Sequence, residues 1–243
     1  MTTALVALQH AGPDSAVRAT ERSRAEPAVI GMDPGDVLSL RDALYGLLLV
    51  SGNDVALALA ESVGGGSIDR FVRWMNQSAF ELGLHDTRFV NPNGLDAPGH
   101  YSSAFDVAQI GRAVLQNPTL AEVVATQRYQ VPGPPLWVFR NINPLLGHAD
   151  GVDGIKTGYE TNAGRCIAVS ARRDGHHLIV VVLHDDAYAA DVAKLLDWAF
   201  DAFKWWTVRV PDGRGGLAET TVALPATQWS FLRSMVRLER KSA

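Results

Sequence analysis

The order of periodic segments predicts an α+β fold in which an antiparallel sheet packs against a helical cluster. Three observations carry that expectation. Apolar residues recur at helical spacing through most of residues 1–125, repeatedly behind hydroxyl-bearing caps. Strand-like runs dominate residues 128–183, the last two flanking a turn with Asp174-Gly175 at its centre. A helical pattern then returns at residues 189–203.

Residues 1–8 read as a helix because Met1, Ala4, Leu5 and Leu8 share one face; with no capping residue ahead of it, this helix reads as one entered midway. Residues 11–36 are polar and punctuated by Gly and Pro, with a short strand expected near residues 28–30. Ser39-Leu40-Arg41-Asp42 is a capping-box sequence opening an apolar helix to residue 50. Ser51-Gly52-Asn53 interrupts, a helix resumes at residues 54–63, and three glycines, 64–66, stop it. Ser67 caps the next helix, with Phe71, Trp74, Met75, Ala79 and Leu82 expected inward and Gly83 ending it. Asn91-Pro92-Asn93-Gly94 is a turn. Ser103 and Asp106 open another capped helix, stopped by Asn117-Pro118, and Thr119 with Glu122 opens a short one. Strands are expected at 128–131, 136–141, 154–159, 165–171 and 177–183. Beyond the closing helix, residues 208–210 and 220–224 form a pairing candidate across 212–216. Residues 229–241 read either as a surface tail or as an amphipathic helix, apolar at Trp229, Leu232, Met235 and Val236 and basic at Arg233, Arg237, Arg240 and Lys241. The second reading implies membrane-surface contact. The expected organisation is a main domain over 1–204 and an appendage over 205–243.

Composition narrows the function. In 243 residues, 47% are hydrophobic and 20% charged, which excludes a disordered chain. A net charge of −4 speaks against nucleic acid as a partner. The single Cys166 excludes an internal disulfide framework and a multi-cysteine zinc site; in its apolar strand it reads as a small buried hydrophobe. His184-Asp185-Asp186 has neither metal-ligand spacing nor a cysteine pair, so it reads as a solvated loop, and His176 and His177 read as exposed turn residues. No apolar run reaches bilayer length. No metal or cofactor is called for.

Two tripeptides carry chemistry. Ser51-Gly52-Asn53 sits at a break between helices, where a hydroxyl and an amide can project into a cleft. Lys156-Thr157-Gly158 sits on an expected strand, where glycine leaves room for a ligand backbone and the lysine and threonine can hold a carboxylate. They match the second and third elements of the S-x-x-K, S-x-N, K-T-G signature of serine acyl-transferases.

The surrounding sequence extends that likeness. The stretches LSLRDALYGLLLVSGNDVALALAE, DTRFVNPNGLDAPGHYSSAFDVAQI, NINPLLGHADGVDGIKTGYETNAGRCIAVSA and HLIVVVLHDDAYAADVAKLLDWAF resemble the serine D-alanyl-D-alanine carboxypeptidases, the low-molecular-mass penicillin-binding proteins, in order and spacing. The resemblance implies an envelope enzyme whose substrate is a peptidoglycan stem peptide ending in D-Ala–D-Ala, with β-lactams as further ligands and no cofactor. A serine attacks the terminal peptide carbonyl with a lysine one helical turn on as base, D-alanine leaves, and water releases the acyl group. By resemblance Ser51 relays protons, Asn53 positions substrate or base, Lys156 and Thr157 grip the terminal carboxylate, and backbone groups beside Gly158 contribute to the oxyanion site.

Departures accompany the resemblance. No serine in the sequence, Ser15, Ser23, Ser39, Ser62, Ser67 and Ser78 included, has lysine three residues on. The family's nucleophile and base align just ahead of Met1, which implies a chain incomplete at its N-terminus, without the family's upstream strands and export signal, and inactive alone. Glu160 stands where the family often has a hydroxyl, and no arginine precedes the last helix in residues 186–190. Two alternatives stand beside this reading: a β-lactamase of the same superfold, which needs a further glutamate to activate water, and a non-catalytic peptidoglycan-binding remnant.

Overall fold

A computed structural model describes residues 1–225 apart from positions 26, 134 and 212–215. The segment 229–241 and most of the turn at 212–216 lie outside the described residues.

Helix α1 (Thr2–His10) runs through the middle of the helical cluster, with Ala4, Val6 and Ala7 inaccessible to solvent. The polar segment behind it contains β1 (Ala16–Arg18), a 3-10 turn at Glu21–Ser23 and β2 (Val37–Ser39), and β1 and β2 pair antiparallel. The strand expected at 28–30 does not form. Ala28 (φ 60) and Gly31 (φ 84) are left-handed, which no extended strand tolerates.

Helices α2 (Leu40–Leu49), α3 (Asn53–Val63), α4 (Ile68–Glu81), α5 (Ala104–Gln116) and α6 (Pro118–Ala125) complete the cluster. Their starts are set by side-chain caps. Ser39, Ser67 and Ser103 accept from the backbone N–H of Asp42 (3.0 Å), Arg70 (3.2 Å) and Asp106 (3.2 Å). The reciprocal arm of the box at Ser39 differs from expectation, since the Asp42 carboxylate takes the Ser39 hydroxyl at 2.5 Å. Helix α6 begins earlier than Thr119 suggests: Asn117 caps it through Leu120 N (3.2 Å) and Pro118, with no N–H to satisfy, fills its first position. On α4, Phe71, Met75 and Ala79 face inward as expected, while Leu82, at the C-cap, is exposed.

Two short strands, β3 (Arg128–Gln130) and β4 (Val138–Arg140), pair with each other. The main sheet is antiparallel, in the order β5 (Val152–Glu160), β6 (Gly164–Arg173), β7 (His176–Val182). The β6–β7 turn places Asp174 (φ 48) and Gly175 (φ 76) in the left-handed region that a two-residue hairpin requires. Both faces of the sheet are covered. Ile155 and Ala168 belong to the core shared with the helical cluster. Ile167, Val169 and Ala171 pack with Val192 and Leu196 of α7 (Tyr188–Ala202) in a second core. The central strand therefore reads as continuous apolar sequence, Ile167 to Val169, instead of alternating. Gly111 lets α5 approach the sheet, since a Cβ there would lie 2.8 Å from Ile155 Cδ1.

The chain continues into β8 (Phe203–Pro211) and β9 (Leu217–Pro225), paired antiparallel over their whole length. Trp205 stacks on His176, 4.2 Å between centroids, and tilts against Phe200. His177 is not the exposed turn residue expected: its Nε2 lies 3.1 Å from Asp153, which also accepts from the buried Ser170 hydroxyl at 2.7 Å. Among the described residues, no helix is long and apolar enough to cross a membrane.

The helical core should dominate stability. Phe71→Ala is expected to cost about 3–5 kcal/mol in chemical denaturation, whereas Phe80→Ala, on the same helix but 79% exposed, should stay within about 0.5 kcal/mol.

Candidate active site

The two tripeptides are brought together by the way α2 gives way to α3. Val50 caps α2, and Ser51 takes the left-handed conformation (φ 62) that normally falls to glycine after a helix. Gly52 N returns to Gly46 O at 3.1 Å, and α3 starts at Asn53. The reversal brings Ser51 and Asn53, at the helix ends, to the cavity that β5 also lines.

Across from them, residues 156–160 of β5 all line one cavity of about 550 Å³, together with Ser51 and Asn53. Side chains of a strand alternate between faces, so five consecutive residues can line one space only if it runs along the strand and its backbone. β5 pairs with β6 on one side, and no described strand pairs with its other edge. Of the residues singled out from the sequence, Ser51, Asn53, Lys156, Thr157 and Gly158 all lie at this cavity. A Cβ at Gly158 would meet nothing within 4 Å, so the space beside it is open and the protein's own packing does not demand glycine there.

The electrostatics are uneven. Burial pushes the Lys156 ammonium down to about 8, and its Nζ donates to Thr157 O at 2.5 Å. At the rim, Glu160 is raised by burial and then by the neighbouring Asp96, which accepts from Asn162 N at 2.8 Å. Arg165 reaches the same cavity, 5.7 Å over the Tyr159 ring and 3.8 Å from Asp186.

Several contributors are not visible as motifs. Asn93 and Gly94 line the cavity, held by the turn in which Asn91 Oδ1 accepts from Gly94 N at 2.7 Å. Met1 lies at the cavity as well. Cys166 is half-buried at the cavity wall and is not the core residue expected, because its strand partner is Gly158, which carries no side chain to cover it. Pro27 and Ala28 form a further wall: Asn53 donates to both, through Nδ2 to Pro27 O (2.5 Å) and through its backbone N to Ala28 O (2.8 Å). Asn53 is thus 5% exposed and already engaged. Sequence spacing offered no signal for this segment. His184, Asp185 and Asp186 hold no metal geometry; among the described residues there is no grouping of three or more His, Cys, Asp or Glu that could bind an ion.

Fold and site together define a penicillin-binding-protein type of α+β architecture. Residues 9–187 match the D-alanyl-D-alanine carboxypeptidase family, peptidase S11, and the chain belongs to that family. The chain is similar to the D-alanyl-D-alanine carboxypeptidase DacB2 of Mycobacterium tuberculosis, 36% identical over 209 residues, covering 81% of this chain and 70% of the relative. It is also similar to DacF of Bacillus subtilis, 36% identical over 181 residues, 72% of this chain and 46% of the relative. The chain thus spans about half the length of several curated relatives it matches. Among solved structures, penicillin-binding protein 6B of Escherichia coli superposes with a TM-score of 0.80 at 32% identity, over 93% of this chain and 75% of that one. A D-alanyl-D-alanine carboxypeptidase of M. tuberculosis H37Rv gives 0.77 at 32% identity, over 90% and 83%.

The depressed Lys156 has a thermodynamic signature. Its value falls from 10.5 to about 8 on folding, so between those limits the unfolded chain holds more protons than the folded one. Stability should therefore rise with pH from about 8 to 10.5 in this respect, and Lys156→Met should remove that component of the slope in denaturation measured across the range.

Proposed function

We propose that the cavity recognises the D-Ala–D-Ala end of a peptidoglycan stem peptide, as part of a serine-type D-Ala–D-Ala carboxypeptidase site working in the extracytoplasmic cell envelope. The observation that carries this reading is the convergence of Ser51 and Asn53 on Lys156-Thr157-Gly158, at the edge of β5 with which no described strand pairs. An extended peptide can lie along such an edge and take its backbone hydrogen bonds there. Its terminal carboxylate then meets the Lys156 ammonium and the Thr157 hydroxyl. A partly desolvated cation has a strong incentive to gain an anionic partner, because it lacks the water that would otherwise solvate it. Gly158 leaves the last residue of the peptide its space. Ser51 supplies a hydroxyl for proton relay, and Asn53 an amide for orientation. A β-lactam carries a carboxylate beside an acylated amide and presents the same pattern.

In the full reaction, a serine oxygen bonds to the penultimate D-Ala carbonyl, the C–N bond breaks, the lysine beside that serine delivers the proton to the departing D-alanine, and water cleaves the ester. An S-x-x-K pair is absent from these 243 residues. Their part is recognition and proton handling. We take residues 1–204 as the domain that does this and the β8–β9 hairpin as the start of an appendage.

Two measurements test the reading. An N-acylated D-Ala–D-Ala peptide should bind in calorimetry and its C-terminal amide should not. At pH 8–9 binding should take up protons as Lys156 recharges, and Lys156→Ala should weaken it about 10- to 100-fold, the worth of a charge-assisted hydrogen bond. Equal binding of acid and amide would overturn the proposal. Fluorescent penicillin should leave no covalent band on a denaturing gel of the 243-residue polypeptide; a labelled band would locate a nucleophile elsewhere in the chain.

A further inference from the structure

We propose that Asp54 is the positioning residue of this site: it holds the segment 27–32 as a strap, and the strap in turn fixes the Asn53 amide. The importance of that amide rests on the reading given under Proposed function; the coupling itself does not.

Asp54 is 2% exposed, and its carboxylate faces four backbone donors. It accepts from Ile30 N (3.1 Å to each oxygen), Gly31 N and Met32 N (3.0 Å each) and Val55 N (2.8 Å). Three successive N–H groups of the strap thus end on one carboxylate from the start of α3, where the helix dipole also favours a negative charge. The strap accepts two bonds from the neighbouring residue, Pro27 O from the Asn53 side-chain amide and Ala28 O from its backbone N–H. Asn53 and Asp54 therefore hold opposite ends of the same segment.

Pro27, Ala28, Val29 and Gly31 of the strap are exposed. It separates the main cavity from a second one of about 410 Å³, lined by Val29, Gly31, Met32 and Asp54, and Val29 is exposed. With Ala28 and Gly31 left-handed, the strap is not extended as a strand, and among the described residues the N–H groups of Ile30, Gly31 and Met32 end on this carboxylate. Gly52 completes the fit, since a Cβ there would lie 3.1 Å from both Asp54 Oδ1 and Ile30 Cγ2. An uncharged amide at position 54 would turn one acceptor into a donor against these N–H groups.

The test is hydrogen exchange and side-chain amide NMR on the whole chain. In the wild type, the amides of Ile30, Gly31, Met32 and Asn53 and the Asn53 side-chain amide should open as one unit, with protection equal within about threefold. Asp54→Asn should speed exchange of all of them about 100-fold and shift the Asn53 side-chain signal, while Leu48 and Phe71 amides keep wild-type protection. Affinity for an N-acylated D-Ala–D-Ala peptide should fall about tenfold with it. Independent opening in the wild type, or a variant whose strap loosens while the Asn53 signal stays put, would overturn the proposal. If the variant does not fold, the wild-type comparison decides. A wild type that binds no such peptide but opens as one unit would sink the functional reading and leave the coupling standing.

Discussion

The arrangement depends on one constraint: β5 must be anchored in the core and paired with β6 on one side while no described strand pairs with its other edge. Near its start β5 is anchored in the core, with Ile155 1% exposed, and toward its end it opens, with Tyr159 66% exposed. That edge, along residues 156–160, borders the cavity. Unpaired strand edges invite pairing with other chains, and natural sheets commonly blunt them with lysine. Here the lysine at the edge is Lys156, and burial has depressed its ammonium, which makes it a poor solvated guard and a good receptor for an anion.

The opposite wall answers this edge from the helical cluster. A continuous helix from Leu40 to Val63 would satisfy its backbone but present no polar groups to β5. The left-handed Ser51 breaks it, at a cost of about 1–2 kcal/mol for a non-glycine residue. Ala28, on the strap, is left-handed too, and His184 packs beside Gly164, another residue of the cavity wall. Of the four left-handed non-glycine residues among the described ones, two thus line this cavity and a third packs against its wall. Strain of this kind persists only where the surroundings over-determine it.

Much of this was legible from residue order. Helix starts at Ser39, Ser67 and Ser103 followed from local hydrogen bonding, which needs only neighbours within three residues. The β6–β7 hairpin followed from Asp174-Gly175, and both tripeptides were found on the elements expected. What escaped reading involves partners distant in sequence. The strap looked like a weak strand because its N–H groups find their acceptor 22–24 residues away, on Asp54. Asp54 itself looked like an ordinary acidic residue in a first helical turn. Cys166 looked internal because its strand is apolar; its exposure depends on facing a glycine across the ladder, a matter of register that composition does not encode.

These long-range bonds also explain why so polar a site can sit in so apolar a setting. The break that brings Ser51 and Asn53 to the cavity frees backbone groups that water cannot fully reach. Gly52 N is taken by Gly46 O, Ile142 N by Leu49 O, and Asn53 N by Ala28 O. Among the described residues no buried side-chain polar atom lacks a partner. A polar network that is fully satisfied holds a single geometry, because every alternative leaves a buried group unpaired at a cost of about 1–3 kcal/mol. Loss of the Asp54 carboxylate would leave three successive backbone donors of the strap, Ile30, Gly31 and Met32, open at once.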